Sequence, residues 1–441
     1  MTRIGIRRED KNEWERRAPL TPDHVAELIE EHDLQFSIQP SPIRVFPDRD
    51  YRAAGARCDD DLDGCRMILG IKEIPPAQLL RDRVYLFFSH TSKAQRHNLP
   101  LLRRLLELGS TLIDYEHVRD AGGRRLIFFG RYAGHAGMID ALWALGRRLA
   151  LEGFATPLER IRLAHEYSSL DEATNHVARV GEALRHAGVA ERLRPLVFGF
   201  TGSGNVARGA QEIFDRLPHL ELRAEGLEDL SRDRTQPGHL LYRAHFTRAQ
   251  RVDRIGGGPF DLHEFERAPR LYRSAIPKWL PYLTVLVHGA WWEPRQPRLL
   301  SIRDLKQHWA AAGSRRLRLL ADVSCDIGGG IEATVRATTP SSPVFVYDVD
   351  RDEAIDGVAG NGPVVLAIDN LPCQLPAESS EHFGDTLVRF LPLLVRCDWE
   401  RPLDELRLPP EVAAAVVVHR GKLAPRHAHL ARHLAGVETR P

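Results

Sequence analysis

The stretch that decides the fold is Leu196-Val-Phe-Gly-Phe-Thr-Gly202-Ser-Gly204-Asn-Val-Ala207-Arg-Gly209. Residues 196–200 are apolar apart from one glycine, which is typical of a buried strand, and residues 207–217 follow with a helical pattern. Gly202 is suited to a tight turn, and Gly204 lets a ligand approach the backbone. The small Ala207 permits close packing of the helix on the strand. A strand, a glycine turn and a helix in this order predict a Rossmann-type unit.

The turn and the first helical turn form the predicted binding site of this unit. A helix N-terminus offers free backbone N–H groups and a positive dipole end, and both favour phosphate binding. The alternative is a glycine turn that binds no ligand. The sequence therefore predicts NADPH or NADH as cofactor, held by Gly202, Ser203, Gly204, Asn205, Val206 and Ala207.

The choice between the two cofactors stays open at this level. An acid about 20 residues beyond the glycines would hold the ribose hydroxyls of NAD, whereas an arginine there would favour the 2′-phosphate of NADP. Glu221, Glu225 and Glu228 all lie near this place, and Arg223 stands among them.

Short apolar runs ending in polar residues occur on both sides of this unit, as is typical of buried parallel strands. The predicted strands are residues 3–6, 67–71, 84–88, 196–200, 283–287, 317–320, 344–347 and 364–368. The predicted helices are residues 21–31 with Thr21 as N-cap, a stretch between residues 71 and 84, and residues 93–108, 137–152, 170–187, 207–217 and 378–395.

We predict an α/β fold with two Rossmann-like domains, parallel sheets and an interdomain cleft. Residues 1–138 and 370–441 form the predicted substrate domain, with the catalytic groups. Residues 139–369 form the predicted dinucleotide-binding domain, so the chain crosses between the domains twice.

Composition excludes several classes of function. The chain has 61 Lys and Arg against 60 Asp and Glu, a balance that favours neither nucleic acid nor a membrane surface as partner. Five cysteines without a CxxC pair, and no HExxH motif, predict neither a disulfide framework nor a metal site. The first residues do not form a secretory signal and no apolar run reaches about 20 residues, so we expect a cytoplasmic protein. The oligomeric state is not predicted.

Two strand ends in the first domain carry titratable groups. Lys72 and Glu73 follow the run 67–71 directly, and His90 follows the run 84–88. The carboxyl ends of parallel strands meet at one edge of a sheet, where ligands bind. A desolvated lysine and a histidine can exchange protons near neutral pH, so both are candidate acid–base groups. The alternatives are a solvated lysine and a histidine that caps a helix.

Arg17 and Arg125 are candidate clamps for substrate carboxylates, because a guanidinium binds a carboxylate through two hydrogen bonds. A surface position is the alternative for each. No GxSxG motif is present, which argues against a hydrolase.

Several stretches, in order along nearly the whole chain, resemble one family. It is the lysine–ketoglutarate reductase portion of the aminoadipic semialdehyde synthases, within the alanine dehydrogenase, transhydrogenase and saccharopine dehydrogenase superfamily. The stretches are Arg7-Arg-Glu-Asp-Lys-Asn-Glu-Trp-Glu-Arg-Arg17-Ala-Pro-Leu, Gly70-Ile-Lys72-Glu73, Ser89-His90-Thr, the glycine stretch with Gly209-Ala-Gln-Glu-Ile-Phe, Asp322-Val-Ser-Cys-Asp326-Ile-Gly-Gly, Ile368-Asp-Asn370-Leu-Pro-Cys-Gln-Leu-Pro376, and Phe383-Gly-Asp385.

The resemblance implies a reaction: condensation of L-lysine with 2-oxoglutarate and reduction of the imine to saccharopine with NADPH or NADH, or the reverse. It implies that Lys72 and His90 are the catalytic acid–base pair. It further implies that the substrate site includes Glu73, Glu116, Arg17 and Arg125. It also implies that Asp326 lies near the nicotinamide.

Two alternatives to this reaction remain. One is a related amino-acid or imine dehydrogenase that acts on another 2-oxo acid. The other is a regulatory relative that binds a nucleotide without catalysis, against which Lys72 and His90 argue.

Overall fold

The computed structural model describes residues 3–233, 235–311 and 315–434. Within them the strands are β1 (Arg3–Ile6), β2 (Gln35–Ile38), β3 (Arg57–Cys58), β4 (Met67–Leu69), β5 (Val84–Phe87), β6 (Thr111–Asp114), β7 (Val197–Thr201), β8 (His219–Leu222), β9 (Leu241–Phe246), β10 (Val252–Arg254), β11 (Tyr272–Ser274), β12 (Val285–His288), β13 (Leu319–Asp322), β14 (Val344–Asp348), β15 (Glu353–Asp356), β16 (Val364–Leu366), β17 (Val416–His419) and β18 (Lys422–Leu423).

The α-helices in the same ranges are α1 (Pro22–His32), α2 (Asp48–Ala53), α3 (Leu99–Glu107), α4 (Gly130–Leu151), α5 (Leu170–Ala187), α6 (Asn205–Phe214), α7 (Leu227–Arg232), α8 (Arg248–Arg251), α9 (Leu262–Arg267), α10 (Ile302–Ala310), α11 (Pro376–Leu387), α12 (Leu391–Arg396), α13 (Pro410–Ala413) and α14 (Ala431–Leu434).

The chain divides into two compact units. The first comprises Met1–Phe129 with Pro376–Pro441, and the second is Gly130–Leu375. The second unit begins where α4 begins, so a boundary at residue 138 would divide a continuous helix. The predicted start of this helix, at residue 137, is wrong by seven residues. Glycines have low helix propensity, and those near the start of α4 weakened the helical pattern.

The first unit is built on a sheet with the strand order β18-β17-β6-β5-β4-β1-β2-β3. The six strands from β6 to β3 are parallel, and their carboxyl ends therefore share one edge. β17 runs antiparallel to β6 and is followed by β18 in a hairpin. The apolar side chains of this sheet pack with those of α1, α3, α11 and α12 in a core that lies within the first unit.

The second unit has a sheet with the order β15-β14-β16-β13-β12-β7-β9-β8. The strands from β16 to β8 are parallel, while β14 runs antiparallel to both of its neighbours, β16 and β15. Separate apolar cores cover the two faces, and α4, α5 and α6 contribute to one of them. The predicted α/β class is confirmed, with the correction that one strand near an edge of each sheet, β17 or β14, runs antiparallel to both of its neighbours.

Prolines account for two helix predictions that are wrong. Residues 72–83 contain only a short 3₁₀ turn, Pro76–Gln78, and no α-helix. The predicted helix 378–395 is two helices, α11 and α12, with Pro392 in the first turn of the second. Proline has no N–H and is tolerated in a first turn, but it cannot continue a helix. Among the described residues, no helix is both long and apolar enough to span a lipid bilayer.

Candidate active site

The first group of predicted residues lies at the carboxyl edge of the first sheet. β4 ends at Leu69, and the backbone N–H groups of Ile71 and Lys72 both donate to the carboxylate of Glu9, over 2.7 and 3.0 Å. Glu9 follows β1, the neighbour of β4 in the sheet. Burial raises the pKa of Glu9 to about 7, while Arg7 opposes this rise. The Glu9 carboxylate thus fixes the backbone that presents Lys72.

Lys72 stands among charged side chains. Burial lowers the pKa of its ammonium group, because the charged form loses its hydration. The positive charges of Arg17 and Lys11 lower this pKa further. The carboxylates of Glu15 and Glu73 oppose the shift without reversing it. Lys72 is therefore more easily deprotonated than a solvated lysine, which is a property of lysines that act as bases.

His90 lies three residues beyond the end of β5, in a left-handed backbone conformation with φ 51°. The preceding Ser89 donates both its N–H and its hydroxyl to the buried carboxylate of Asp114, at the end of β6. The His90 ring stacks on Phe88 with an interplanar angle of 13°. These contacts hold the imidazole at the same edge of the sheet as Lys72.

Two carboxylates flank the His90 ring. Its Nε2 lies 3.8 Å from Glu73 Oε1, and its Nδ1 lies 3.6 Å from Glu116 Oε2. Glu73 also binds the Lys11 ammonium at 3.2 Å. Burial raises the pKa of Glu73, but the charges of Lys11, His90 and Lys72 and a backbone hydrogen bond outweigh this effect and lower it. The lowered pKa keeps Glu73 charged near neutral pH, so a negative charge lies beside the imidazole.

The two predicted arginines are both in ion pairs. Arg125 donates to Glu116 over 2.7 Å and is part-exposed. Arg17 is buried, and its guanidinium donates twice to Glu15, over 2.7 and 2.6 Å, while it stacks over Phe129 at 4.1 Å. The structure therefore brings the six first-unit candidates to one edge, with Arg17 as the buried end of the group.

Sequence reasoning missed three residues of this group: Glu9, Glu15 and Asp114. Glu15 stood two residues before Arg17, in a stretch rich in charges, and nothing in the pattern distinguished it from solvated neighbours. Asp114 ends a short strand that the apolar pattern did not predict. Its position at a strand end, like that of Lys72 and His90, was the available signal.

In the second unit the glycine turn has the geometry that a dinucleotide needs. Gly202 has φ 96°, and a Cβ there would lie 2.6 Å from the Gly289 carbonyl oxygen, so another residue would be strained and crowded. A Cβ on Gly204 would meet nothing within 4 Å, which leaves open space beside the backbone. α6 begins at Asn205, two residues earlier than predicted, with Gly204 as its N-cap. The turn therefore fits a pyrophosphate.

The small residues of this stretch also allow close packing. A Cβ on the buried Gly209 would overlap the carbonyl oxygen of Arg131 on α4. A Cβ on Gly134 of α4 would in turn overlap the carbonyl oxygen of Val206. Ala207 is buried, and Gly289 approaches its backbone. The first turn of α6 is thus fixed in place by its contact with α4 as well as by its strand.

Two further strand ends complete this edge. His288 ends β12 and is buried, with its Nδ1 2.8 Å from Thr201 Oγ1. Burial lowers the pKa of His288 to about 3, so this imidazole is neutral near pH 7. Asp326 lies exposed in the loop after β13. Asp326 and the glycine turn therefore belong to the same carboxyl edge, on strands separated by β12.

None of the three acids considered for the ribose lies on the strand next to β7. Glu221 is on β8, the edge strand, and pairs with Arg243. Glu225 and Glu228 follow that strand. β7 has β9, not β8, as its neighbour, because the second strand in sequence takes the outer place.

Known proteins resemble this chain over nearly its whole length. Residues 5–136 match the family described as Alanine dehydrogenase/PNT, N-terminal domain. The mitochondrial alpha-aminoadipic semialdehyde synthase of Bos taurus is 36% identical over 442 residues, which cover 97% of this chain and 47% of that protein. The chain thus spans about half the length of this relative. Saccharopine dehydrogenase (NAD(+), L-lysine-forming) of Neurospora crassa is 27% identical, covering 90% of this chain and 92% of that protein.

Among solved structures, L-alanine dehydrogenase superposes with a TM-score of 0.62 at 19% identity, covering 98% of this chain and all of that chain. This likeness concerns the fold, and it agrees with two mostly parallel sheets. The resemblance inferred from the sequence is confirmed. Residues 5–136 match an alanine dehydrogenase/PNT N-terminal domain, and nearly the whole chain is a relative of proteins named alpha-aminoadipic semialdehyde synthase and lysine-forming saccharopine dehydrogenase.

Proposed function

We propose that this protein condenses L-lysine with 2-oxoglutarate and reduces the product to saccharopine with NADPH or NADH, or catalyses the reverse reaction. The observation that carries the proposal is the grouping of Lys72 and His90 at one sheet edge, with Glu73 and Glu116 beside the imidazole. The similarity to lysine-forming saccharopine dehydrogenase supports the choice of substrates. The cytoplasmic location remains a prediction.

The reaction needs several proton transfers, for which this pair is suited. The ε-amine of the substrate must be neutral to attack the ketone carbon of 2-oxoglutarate. A carbinolamine forms, and its hydroxyl leaves as water after it receives a proton. In our proposal Lys72, with its lowered pKa, accepts a proton from the amine, and the protonated His90 donates one to the leaving hydroxyl. Glu73 and Glu116 stabilise the imidazolium.

The charged groups around the pair are proposed to bind the substrates. Both substrates carry carboxylates, and Arg125 is part-exposed at this edge. We assign Arg125 to carboxylate binding. Arg17 is held by two hydrogen bonds to Glu15, and its positive charge still lowers the pKa of Lys72, so we propose that it acts on Lys72 as well as in binding.

The cofactor is assigned to the glycine turn at β7. When bound, the reduced nicotinamide supplies the hydride that reduces the imine carbon. The residues proposed to hold the dinucleotide are Gly202, Ser203, Gly204, Asn205, Val206 and Ala207, with Asp326 near the nicotinamide. The N–H groups of the first turn of α6 lack partners within the helix and are suited to the pyrophosphate.

The first test follows nicotinamide absorbance with lysine and 2-oxoglutarate together, and then with each omitted. We expect oxidation of NADPH or NADH only when both substrates are present. Oxidation with a different amine or 2-oxo acid, and none with this pair, would favour a related dehydrogenase. Tight binding of a dinucleotide without turnover of any pair would favour a regulatory relative.

The second test replaces the proposed base. Lys72→Met should lower kcat by roughly 100-fold or more, because acid–base groups contribute about that factor. Lys422→Met is the matched control, since Lys422 is exposed on β18 in the same unit. It should leave kcat unchanged. Undiminished turnover in Lys72→Met would remove this residue from the mechanism.

A further inference from the structure

We infer that Arg248, at the carboxyl end of β9, binds the 2′-phosphate of NADP(H) in the cofactor site. The inference rests on the proposed function, which assigns a dinucleotide to the glycine turn without choosing between NADPH and NADH.

Strand order identifies the place where this choice is made. β9 is the parallel neighbour of β7, and Phe246 is the partner of Thr201 in the ladder. Thr247 and Arg248 therefore come beside Gly202 and the turn that follows it. Neighbouring strands lie about 4.8 Å apart, so β8 is roughly twice as far from the turn. The adenosine ribose is bonded to the pyrophosphate, so the groups at the end of β9 are close enough to contact it.

The residues at the carboxyl end of β9 are suited to bind a dianionic phosphate. The segment Leu241-Tyr-Arg-Ala-His-Phe-Thr-Arg248-Ala-Gln-Arg-Val252 contains three arginines and no carboxylate. An acid here would accept hydrogen bonds from both ribose hydroxyls of NAD, and a phosphate would be repelled by it. A guanidinium instead binds a phosphate through two charge-assisted hydrogen bonds. Thr247 is exposed, and its hydroxyl donates to Gln250 Oε1 over 3.0 Å.

The surroundings of Arg248 leave it accessible to such a ligand. Its guanidinium contacts Glu266 of α9 over 3.3 Å, and both side chains are about half-exposed. Exposed ion pairs of this kind contribute little free energy, so a phosphate can displace the carboxylate. Arg251 lies one helical turn beyond Arg248. Burial lowers the pKa of the Arg251 guanidinium to about 10, and the positive charge of Arg248 adds to this effect. A phosphate beside Arg248 would relieve this repulsion.

Several carboxylates approach the segment: Asp215 and Glu221 pair with Arg243, and Glu266 pairs with Arg248. Glu225, after the edge strand, accepts a hydrogen bond from Gln250 over 2.7 Å. It is the competing candidate, because it would hold a ribose hydroxyl if it, rather than Arg248, faced the nucleotide. Glu225→Gln therefore belongs in the same experiment.

The test is calorimetric titration of the full-length protein with NADP⁺, NAD⁺, 2′-AMP and 5′-AMP. We expect NADP⁺ to bind more tightly than NAD⁺, and 2′-AMP more tightly than 5′-AMP. Arg248→Ala should weaken NADP⁺ binding by about 10- to 100-fold, the value of a charge-assisted contact, and change NAD⁺ binding less than about twofold. Arg248→Lys should fall between, since an ammonium lacks the bidentate geometry.

Arg223→Ala is the matched control, because it removes an exposed arginine from the end of β8 instead of β9. It should leave both affinities unchanged. Four results would overturn the inference: tighter NAD⁺ binding by the natural protein, an equal loss of both ligands in Arg248→Ala, a selective loss in Arg223→Ala, or weaker NAD⁺ binding in Glu225→Gln. Binding of neither dinucleotide would contradict the proposed function as well.

Discussion

In each unit, one buried acid accepts hydrogen bonds that fix the position of neighbouring groups. Asp140 of α4 is fully buried and accepts hydrogen bonds from the Ala164 N–H and the Gln374 side chain, over 2.8 and 2.6 Å. Burial raises its pKa to about 7, although both hydrogen bonds oppose the rise. Glu9 in the first unit has a pKa raised by the same cause to about 7. Each acid thus holds neighbouring groups in place, and its raised pKa makes the stability of the fold depend on pH.

For Asp140 the sign of this dependence follows from the raised pKa. The folded protein holds the proton more tightly than the unfolded chain, so the contribution to stability is complete below about pH 4 and is lost as pH rises to about 7. The loss is on the order of 4 kcal/mol. Asp140→Asn should therefore gain stability relative to the natural protein between pH 5 and pH 8, measured as the difference in Tm. Asp229→Asn, at an exposed position, serves as control. Parallel pH profiles for Asp140→Asn and the natural protein would contradict the assignment.

The residues that carry the proposed chemistry could be predicted from sequence, whereas those that position them could not. Lys72 and His90 each follow an apolar run, so their place at strand ends was visible. Glu9 acts on Lys72 from 63 residues away, through backbone N–H groups that any residue except proline would offer. Such a contact depends on which strands are neighbours, and periodicity within one strand does not contain that information.

At the scale of elements, the contact between α4 and α6 determines where the nucleotide turn lies. Gly209→Ala should separate the two helices, since its methyl group would overlap the Arg131 carbonyl. Such overpacking costs about 1–3 kcal/mol. We expect a lower Tm and weaker binding of NADP⁺ and NAD⁺ alike, measured by calorimetry. Gly64→Ala, where a methyl group would lie 3.7 Å from Arg3, should change neither. Unchanged affinity in Gly209→Ala would show that the turn does not depend on this contact.

The elements that sequence predicted well have continuous apolar patterns. α5 was predicted with its observed ends, and the strand starts at Arg3, Met67, Val84, Val344 and Val364 agree with the structure. β9 was not predicted, because Arg243 and His245 interrupt its apolar residues. Missing β9 also hid the strand order of the second sheet. The sequence-distance rule then directed attention to Glu221, Glu225 and Glu228, which lie on or after β8, the edge strand, and not on the neighbour of β7.

At the scale of the whole molecule, the second unit is continuous in sequence while the first is not. The sheet of the second unit and the cores on both its faces are formed within Gly130–Leu375. We expect a fragment of residues 130–375 to fold alone and to bind a dinucleotide, tested by circular dichroism, thermal unfolding and calorimetry. Its affinity for 2′-AMP should equal that of the full-length protein. A fragment without a cooperative unfolding transition would show that its stability requires the rest of the chain.

The first unit, in contrast, needs chain from both ends, because β17 pairs with β6 across an intervening unit. About 300 residues separate the two strands. At a synthesis rate of roughly 5–20 residues per second, the ribosome delivers β17 about 15–60 s after β6. Throughout that interval the N–H and C=O groups along one side of β6 lack their final partner, and an open strand edge of this kind recruits other chains. The growing polypeptide is therefore prone to aggregate in the interval before β17 and β18 complete the sheet of the first unit.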